Sequence, residues 1–288
     1  MEIKKYFSLI KFSHTIFALP FAAIGFALAV WYAHYPFQWS LLICVLLCMI
    51  FCRSAAMAFN RYTDYTYDAK NSRTAQREIP AGKISPKSAL LFVIITSILF
   101  IATTWFINRL CFYLSPVALL VVLFYSYTKR FTPLCHVFLG IGQALVPIGA
   151  YIAVSGEFAI TPIIFSFIVL GWMAGFDIIY ALQDEDFDRS EKLHSIPEHF
   201  GRKKALAISI FIHCITALLT IFVGFYAHFS WLYWIGAGLF IGCLIFQHAI
   251  VSPKDISKVN LAFSTTNGVA SVVYATFTIL SFLPILSL

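Results

Sequence analysis

The sequence predicts an all-α membrane protein in which nine transmembrane helices form a bundle around a central cavity. Of the 288 residues, 60% are hydrophobic and 11% are charged, whereas soluble domains contain about 25% charged residues. A helix that crosses a bilayer needs about 20 mainly apolar residues. Nine stretches meet this requirement, at 14–34, 40–60, 88–108, 110–128, 136–155, 161–182, 205–227, 229–250 and 261–286. We expect them to form one domain over residues 1–288.

The basic residues predict how these helices are oriented. If the N-terminus is cytoplasmic, all of the 20 lysines and arginines except Arg53 and Arg109 fall outside the spans on the cytoplasmic side. This is the positive-inside pattern of membrane proteins. It predicts a multi-pass protein with both long polar loops in the cytoplasm, and it accounts for the net charge of +7 without a nucleic-acid partner. We expect the membrane to be the inner membrane of a bacterial cell. No obligate protein partner is evident.

Two acidic clusters mark the two long polar connections, 61–87 and 183–204. The first cluster is spaced by four residues and consists of Asn60, Asp64 and Asp68. The second has spacings of seven and four and consists of Asp177, Asp184 and Asp188. Each spacing places its side chains on one helical face. Because both clusters fall on the predicted cytoplasmic side, we expect them to hold Mg²⁺ against a diphosphate rather than only to solvate helix ends.

Basic residues accompany both clusters. They are Arg73, Arg77, Lys129, Arg130 and Lys192. Guanidinium and ammonium groups bind phosphate oxygens that a metal leaves free. The alternative is that these residues only reflect the basic character of cytoplasmic loops.

The two clusters carry a resemblance to the UbiA prenyltransferase superfamily. The segment 60–68, continued by 71–74 and 77–82, resembles the first signature of that family. The segment 177–188, followed by Lys192, Ser195 and Gly201, resembles the second signature. The family pattern is also matched at 125–130 and at 11–14. Within the family, the chain looks most like the 4-hydroxybenzoate polyprenyltransferase branch.

This resemblance implies a Mg²⁺-dependent integral-membrane enzyme. It would transfer a polyprenyl group from polyprenyl diphosphate to a ring carbon of an aromatic acid, 4-hydroxybenzoate or similar, in quinone biosynthesis. A 1,4-dihydroxy-2-naphthoate acceptor, or the acceptor of the futalosine route to menaquinone, is the alternative. One Mg²⁺ would be held by Asp64 and Asp68 with Asn60, and a second by Asp184 and Asp188. The diphosphate would be bound by Arg73, Arg77, Lys129, Arg130 and Lys192.

Further residues are expected near the acceptor and the allylic cation. Arg53 lies inside a span and seven residues before Asn60, so it shares a helical face with the first cluster; we expect it to contact the acceptor's carboxylate, the alternative being a carboxylate of the protein. Asp177 is expected to position the acceptor or its proton. Aromatic faces stabilise cations, and the candidates for this role are Tyr125, Tyr127 and Tyr180. His14 is a candidate for the acceptor site, whereas His136 and the other histidines in spans are expected to pack.

The alternative from another functional class is a secondary transporter. Repeated halves and charged residues inside the membrane fit that design, which places polar residues near the bilayer midplane. Here the polar residues gather at one predicted membrane face. This asymmetry favours a metal-dependent diphosphate site.

Overall fold

The computed structural model describes residues 2–10 and 18–283, which form helices and connecting turns without a β-strand. The helices are α1 (Glu2–Leu9), α2 (Leu19–Ala27), α3 (Trp39–Asp68), α4 (Pro86–Trp105), α5 (Arg109–Thr128), α6 (Cys135–Ser155), α7 (Ile160–Ala181), α8 (Glu185–Ser190), α9 (Ile196–Tyr226), α10 (Trp231–Ile250) and α11 (Asn267–Leu280). Wider π turns extend α2 over Leu28–Tyr32 and precede α11 over Leu261–Thr266.

Seven of the described helical segments are long and apolar enough to cross a membrane. Six of them are the single helices α3, α4, α5, α6, α9 and α10, and the seventh is formed by α7 and α8 together. The first and last predicted spans are represented by shorter helices, of which Leu19–Tyr32 is apolar throughout. The prediction of an all-α membrane protein is confirmed, whereas the count of nine crossings stays a prediction.

The outer surface of the bundle is apolar. In the most apolar 18-residue stretch of α5, only 17% of the residues are buried inside the protein. Large side chains are exposed along the outer faces of several helices, for example Leu120 (66%), Phe225 (67%) and Ile245 (66%). Contiguous apolar surface of this extent is rare in soluble monomers. A lipid environment accounts for it, because hydrocarbon chains replace the missing protein contacts.

Helix α7 lies at the centre of the bundle, packed between α6 and α9. Its Trp172 is fully buried and donates a hydrogen bond from Nε1 to Asn267 Oδ1 at 2.9 Å. Close approach of α9 depends on Gly175, where a Cβ atom would lie 2.2 Å from the His213 ring. Around Trp172 the core is aromatic and includes Phe21, Phe165, Tyr233, Phe240 and Tyr274. This closely packed side of the bundle supports one wall of the site.

Both polar connections differ from their predicted form. Helix α3 continues to Asp68, eight residues beyond the predicted end of the second span, because no glycine or proline interrupts it. Helix α7 ends at Ala181 and gives way to a tight turn over Leu182–Asp184 before α8. The spacing of the second cluster had predicted one continuous helix, and this prediction is wrong: Asp177 lies on α7, Asp184 in the turn and Asp188 on α8. In α9, Gly201 adopts φ +75°, which separates one N-terminal turn from the long helix.

Candidate active site

Two cavities meet between α3, α5, α6 and α7. We call the larger, of about 580 Å³, the main cavity, and the smaller, of about 230 Å³, the polar cavity. Both are lined by Asn60, Arg73, Arg77, Tyr125, Leu139, Asp177 and Tyr180. The polar cavity additionally contains most of the acidic residues singled out in the sequence. The fold therefore brings the two acidic clusters, more than 100 residues apart in the chain, to one place.

Each of the four aspartates predicted to bind metal is paired with a basic residue predicted to bind diphosphate. The shortest nitrogen–oxygen distances are 3.4 Å for Arg130–Asp64, 2.7 Å for Arg77–Asp68, 2.6 Å for Arg73–Asp184 and 2.6 Å for Lys129–Asp188. The carboxylates and the cations thus neutralise one another in this arrangement. No spacing in the sequence indicated which partner each residue would take.

Helix α3 presents the first cluster as predicted. Asn60 Nδ2 donates to Asp64 Oδ2 at 3.0 Å, one helical turn away. The guanidinium of Arg130 donates to the Thr63 carbonyl oxygen at 2.6 Å and lies 4.8 Å from the centre of the Tyr127 ring. One end of Arg130 is therefore fixed to the backbone of α3, and its contact with Asp64 at 3.4 Å is the longest of the four pairs.

Two arginines of the connection after α3 form ion pairs, one with each acidic cluster. Arg77 Nη1 donates to both oxygens of Asp68, at 2.7 and 2.8 Å. Arg73 binds Asp184 through Nε at 3.2 Å and Nη2 at 2.6 Å, a two-pronged contact that suits a carboxylate. Asn71 Nδ2 donates to the same carboxylate at 3.2 Å. Asn71 was part of the family match but had no assigned role, and its side chain is as close to the second cluster as that of Arg73.

Arg73 also joins the cluster to an aromatic ring. Its Nη1 donates to the Tyr180 hydroxyl at 2.8 Å, and its guanidinium carbon lies 5.4 Å from the centre of that ring. Burial lowers the pKa of Arg73, but the Asp184 carboxylate more than compensates, so the pKa lies above its ordinary value. Arg73 therefore carries its charge at every physiological pH.

Asp188 occupies a different position from the other three aspartates. Its side chain is fully buried against Lys129 Nζ, and it lines neither cavity. Burial lowers the pKa of Lys129, but Asp188 beside it raises the value above the ordinary one. The pair is thus a charged contact between the end of α5 and α8. A metal role for Asp188 requires Lys129 to move aside.

The oxygens of the polar cavity suit Mg²⁺ in their chemistry. Carboxylate and amide oxygens are the ligands that this ion prefers, completed by phosphate oxygens and water. Among the residues that the structure describes, no three histidine, cysteine, aspartate or glutamate side chains are close enough to hold an ion. The donor set fits Mg²⁺, but its carboxylates are engaged with cations. Binding of the ion at these carboxylates therefore requires the ion pairs to separate.

The main cavity holds two arginines that form no ion pair with any carboxylate of the described residues. Within residues 18–283, neither Arg53 nor Arg61 has a carboxylate oxygen within ion-pair distance. The Arg53 Nε atom is buried and has no hydrogen-bond partner in that range. Arg61 donates weakly to Asn60 Oδ1, at 3.4 Å. The alternative of a protein carboxylate for Arg53 therefore receives no support, and Arg61 is a cavity residue that was not predicted from the sequence.

Asp177 faces both cavities from α7, and its side chain is 23% exposed. Its Oδ2 atom lies 2.7 Å from Nδ1 of His136, a residue that sequence reasoning assigned to packing. Tyr125 and Tyr180 line both cavities, and their role near the substrates stays a prediction. The sequence did contain a signal for this pair. Asp177 lies inside a predicted span, where a carboxylate needs a partner, and His136 lies at the start of another span on the same predicted membrane side.

Lys192 and Tyr127, two further predicted site residues, lie outside both cavities. Lys192 is exposed and lines neither cavity. Tyr127 is 38% exposed and packs against Phe59 and Arg130 instead of the cavities. His14 falls outside the described residues. Their assigned roles stay predictions without geometric support.

The sequence matches the model of a protein family described as the UbiA prenyltransferase family over residues 18–281. A 4-hydroxybenzoate octaprenyltransferase of Tolumonas auensis is 29% identical over 223 residues, which cover 77% of this chain and 78% of that protein. A second 4-hydroxybenzoate octaprenyltransferase, of Burkholderia mallei, is 29% identical over 238 residues and covers 82% of each chain.

Solved structures have the same fold. The apo structure of a UbiA homolog from Aeropyrum pernix K1 superposes with a TM-score of 0.85 at 32% identity, covering 94% of this chain and 98% of that one. A UbiA homolog from Archaeoglobus fulgidus, bound to GPP and Mg²⁺, has a TM-score of 0.72 at 22% identity and covers 96% and 99% of the two chains. The resemblance predicted from the two acidic signatures is confirmed. This chain is a prenyltransferase that belongs to the UbiA family and resembles its 4-hydroxybenzoate branch.

Proposed function

We propose that this protein transfers a polyprenyl group from its diphosphate to a ring carbon of a phenolic aromatic acid, in a Mg²⁺-dependent step of quinone biosynthesis. The observation that carries the proposal is the division of charge in the site. The polar cavity contains balanced carboxylate–cation pairs, whereas the adjoining main cavity contains two arginines that have no acidic partner among the described residues. A metal diphosphate fits the first environment, and a carboxylate fits the second.

At the polar cavity, the paired residues exchange partners when the donor substrate binds. Asp64, Asp68 and Asp184, with Asn60, turn to Mg²⁺, which supplies neutralisation of the diphosphate charge. Asp188 joins them after Lys129 releases it. The guanidinium groups of Arg73 and Arg77 then turn to phosphate oxygens, for which they have the right geometry. Charge at the departing diphosphate is stabilised where it develops.

At the main cavity, Arg53 receives the carboxylate of the acceptor. Its side chain lines the cavity and has a buried Nε atom without a hydrogen-bond partner in the described part of the chain. A charged group in that condition gains from an anionic ligand much more than an exposed arginine does. The position of Arg53 inside a predicted span, on the helical face of Asn60, led to the same assignment from the sequence. The relatives named 4-hydroxybenzoate octaprenyltransferases support an acceptor of this class.

Two tyrosines stand between the two ends of the site. Tyr125 and Tyr180 line both cavities, so their rings are available to the allylic group as the carbon–oxygen bond breaks. Arg73 holds the Tyr180 hydroxyl, which fixes the direction of that ring. The faces of aromatic rings attract cations. We assign the stabilisation of the allylic cation to these two rings and not to Tyr127.

The polyprenyl tail lies in an apolar groove that continues from the main cavity. This groove, of about 160 Å³, runs between α3, α4, α5 and α6. It shares with the main cavity Met49, Cys52, Val122, Gly142 and Val146. The two hydroxyl groups in its lining, of Thr104 and Ser115, are bonded to backbone carbonyls of their own helices. The groove therefore presents hydrocarbon and suits an isoprenoid chain.

The protein crosses the inner membrane of a bacterial cell nine times, with a cytoplasmic N-terminus. Two shorter segments, Leu19–Tyr32 and α11 with the π turn before it, supply the crossings beyond the seven long ones. The positive-inside distribution then places the polar cavity on the cytoplasmic side, where water-soluble acceptor and Mg²⁺ are available.

A transfer assay on the purified protein tests this function. Labelled farnesyl diphosphate is incubated with 4-hydroxybenzoate, 1,4-dihydroxy-2-naphthoate and other aromatic acids, with Mg²⁺ or with a chelator. Asp64→Asn and Asp184→Asn are expected to lower transfer at least ~100-fold, the usual effect of removing a group that stabilises developing charge. Asp186→Asn is the matched control, because this neighbouring side chain is 85% exposed.

The runner-up acceptor and the transporter alternative make different predictions for the same preparation. Transfer only to the dihydroxynaphthoate would assign the protein to classical menaquinone synthesis. Solute flux in proteoliposomes that is independent of metal, without prenyl transfer to any acid, would refute the enzyme and support a transporter.

A further inference from the structure

The side of the main cavity formed by α7 contains a buried hydrogen-bond chain that the proposed function leaves unused. His136, in the first turn of α6, is 2% exposed. Its Nδ1 atom lies 2.7 Å from Asp177 Oδ2, and its Nε2 atom lies 3.3 Å from the backbone nitrogen of Ile196. The chain runs from the start of α9 through the imidazole ring to a carboxylate at the cavity.

The backbone at α9 determines which nitrogen of His136 carries hydrogen. The Ile196 N–H can only donate, so Nε2 must accept. A neutral imidazole then has its hydrogen on Nδ1 and donates it to Asp177. Ile196 is the first residue of α9, and Ser195 caps this helix by accepting from the Glu198 N–H. The N-terminal end of α9 thus fixes the ring, because its free N–H groups need acceptors.

Asp177 presents its other oxygen to the substrates. Oδ2 is engaged by His136, and Oδ1 has no hydrogen bond to any residue that the structure describes. The carboxylate lines the main cavity together with Arg53 and Tyr125. Unlike the four paired aspartates, Asp177 has no arginine or lysine partner in the described chain. Its hydrogen-bonding capacity is therefore directed at the cavity.

We propose that His136 is a positioning residue, which holds Asp177 so that its free oxygen accepts the hydroxyl proton of the phenolic acceptor. This role rests on the proposed function. The ring carbon ortho to the hydroxyl forms a bond to the prenyl carbon, and the bond between the prenyl carbon and the diphosphate oxygen breaks. The phenol proton passes to Asp177, and a lone pair of the oxygen completes a dienone.

Aromaticity returns in a second proton transfer. The hydrogen on the alkylated ring carbon leaves as a proton to the departed diphosphate, its electron pair re-enters the ring, and the oxygen regains its proton from Asp177. The products are the prenylated phenol and a protonated diphosphate, and Asp177 ends as it began. No oxidant or reductant takes part.

Two substitutions of His136 separate the contacts that it makes. The amide of His136→Asn places a donor where Nδ1 lies, whereas that of His136→Gln reaches the position of Nε2 and abandons Asp177. We expect His136→Asn to retain most of kcat. His136→Gln should lower kcat ~10–100-fold, as the loss of orienting partners does at metal sites, and Asp177→Asn should lower it at least ~100-fold. The KM for the prenyl diphosphate should not change in any of them.

Acceptor acidity provides a readout that a purely structural role would not move. A 3-fluoro-4-hydroxybenzoate acceptor ionises more readily than 4-hydroxybenzoate, so it depends less on Asp177. It should recover much of the lost rate in Asp177→Asn and in His136→Gln. His213→Gln is the matched control for a buried histidine, because His213 contacts the Trp172 carbonyl and His248 but lines neither cavity.

The outcomes are distinguishable. Transfer by His136→Gln at the wild-type rate, or an equal loss of rate with both acceptors, would overturn the role of His136 and leave the proposed function standing. Failure of the wild-type protein to prenylate any phenolic acid would overturn both. If His136→Gln does not fold, His136→Ala replaces it in the comparison with the two acceptors.

Discussion

Replacement of Arg53 by methionine should remove the preference of this protein for a carboxylated acceptor. Arg53 lines the main cavity, and within residues 18–283 its buried Nε has no partner. A hydrogen bond to a charged group contributes about 1.5–3 kcal/mol, and each 1.4 kcal/mol corresponds to about tenfold in affinity. We therefore expect Arg53→Met to lower kcat/KM for 4-hydroxybenzoate by about 10- to 150-fold. Methionine preserves most of the side-chain volume, so the cavity should keep its shape.

An uncharged analogue isolates this contact. We expect 4-hydroxybenzamide to be prenylated at nearly equal kcat/KM by the wild-type and Arg53→Met proteins, since neither makes an ion pair with it. Arg53→Lys should retain part of the preference for the acid. Arg109→Met, an exposed arginine at the start of α5, is the matched control.

The melting temperature of Arg53→Met, in contrast to its kcat/KM, should stay unchanged. Because Arg53 has no ion-pair partner in the described chain, its removal should not lower the melting temperature in detergent. A loss of kcat/KM that is equal for the acid and the amide would refute the assignment. A drop of several degrees in melting temperature would show that Arg53 is structural.

Three further expectations follow from the ion pairs and the groove. Asp188→Asn leaves Lys129 without its buried partner and should lower the free energy of unfolding by about 1.5–3 kcal/mol, whereas Asp186→Asn should have little effect; equal melting curves in detergent would contradict this. Mg²⁺ alone should raise the melting temperature little, because the carboxylates already have cation partners, and should raise it together with a prenyl diphosphate; a full shift with Mg²⁺ alone would argue against partner exchange. Gly149 lines the groove, and a Cβ there meets no atom within 4 Å, so Gly149→Leu should lower kcat/KM for long prenyl diphosphates more than for geranyl diphosphate, with Gly242→Leu as the control; an unchanged ratio would exclude the groove as the tail site.

Much of the fold and part of the site could be predicted from the sequence. Long apolar stretches predicted the membrane helices, because hydrocarbon requires a continuous apolar helix. The spacing of Asn60, Asp64 and Asp68 predicted their common face on α3, because helical periodicity is local. The same argument failed for the second cluster, since the chain leaves α7 at Ala181 and turns before α8. Nothing in the local sequence marked that turn.

The positions of individual side chains were harder to predict. Lys192 follows the second cluster closely, yet it is exposed and outside both cavities. Tyr127 is two residues from Tyr125, and this spacing places it on another face of α5, where it packs against Arg130. His136 is remote from Asp177 in the chain and lies in hydrogen-bond contact with it. Sequence proximity is therefore a poor guide where the site is assembled from several helices.

The sequence by itself determined that this protein lies in a membrane, that its charged chemistry gathers at one end of the bundle, and which family it resembles. These properties depend on composition, on charge distribution and on motifs within single segments. The tertiary structure decided which cation meets which carboxylate, that Arg53 has no acidic partner within the described chain, and that His136 supports Asp177. Those relations depend on how helices far apart in the chain pack against one another, and the distance between two packed side chains is not written in either segment.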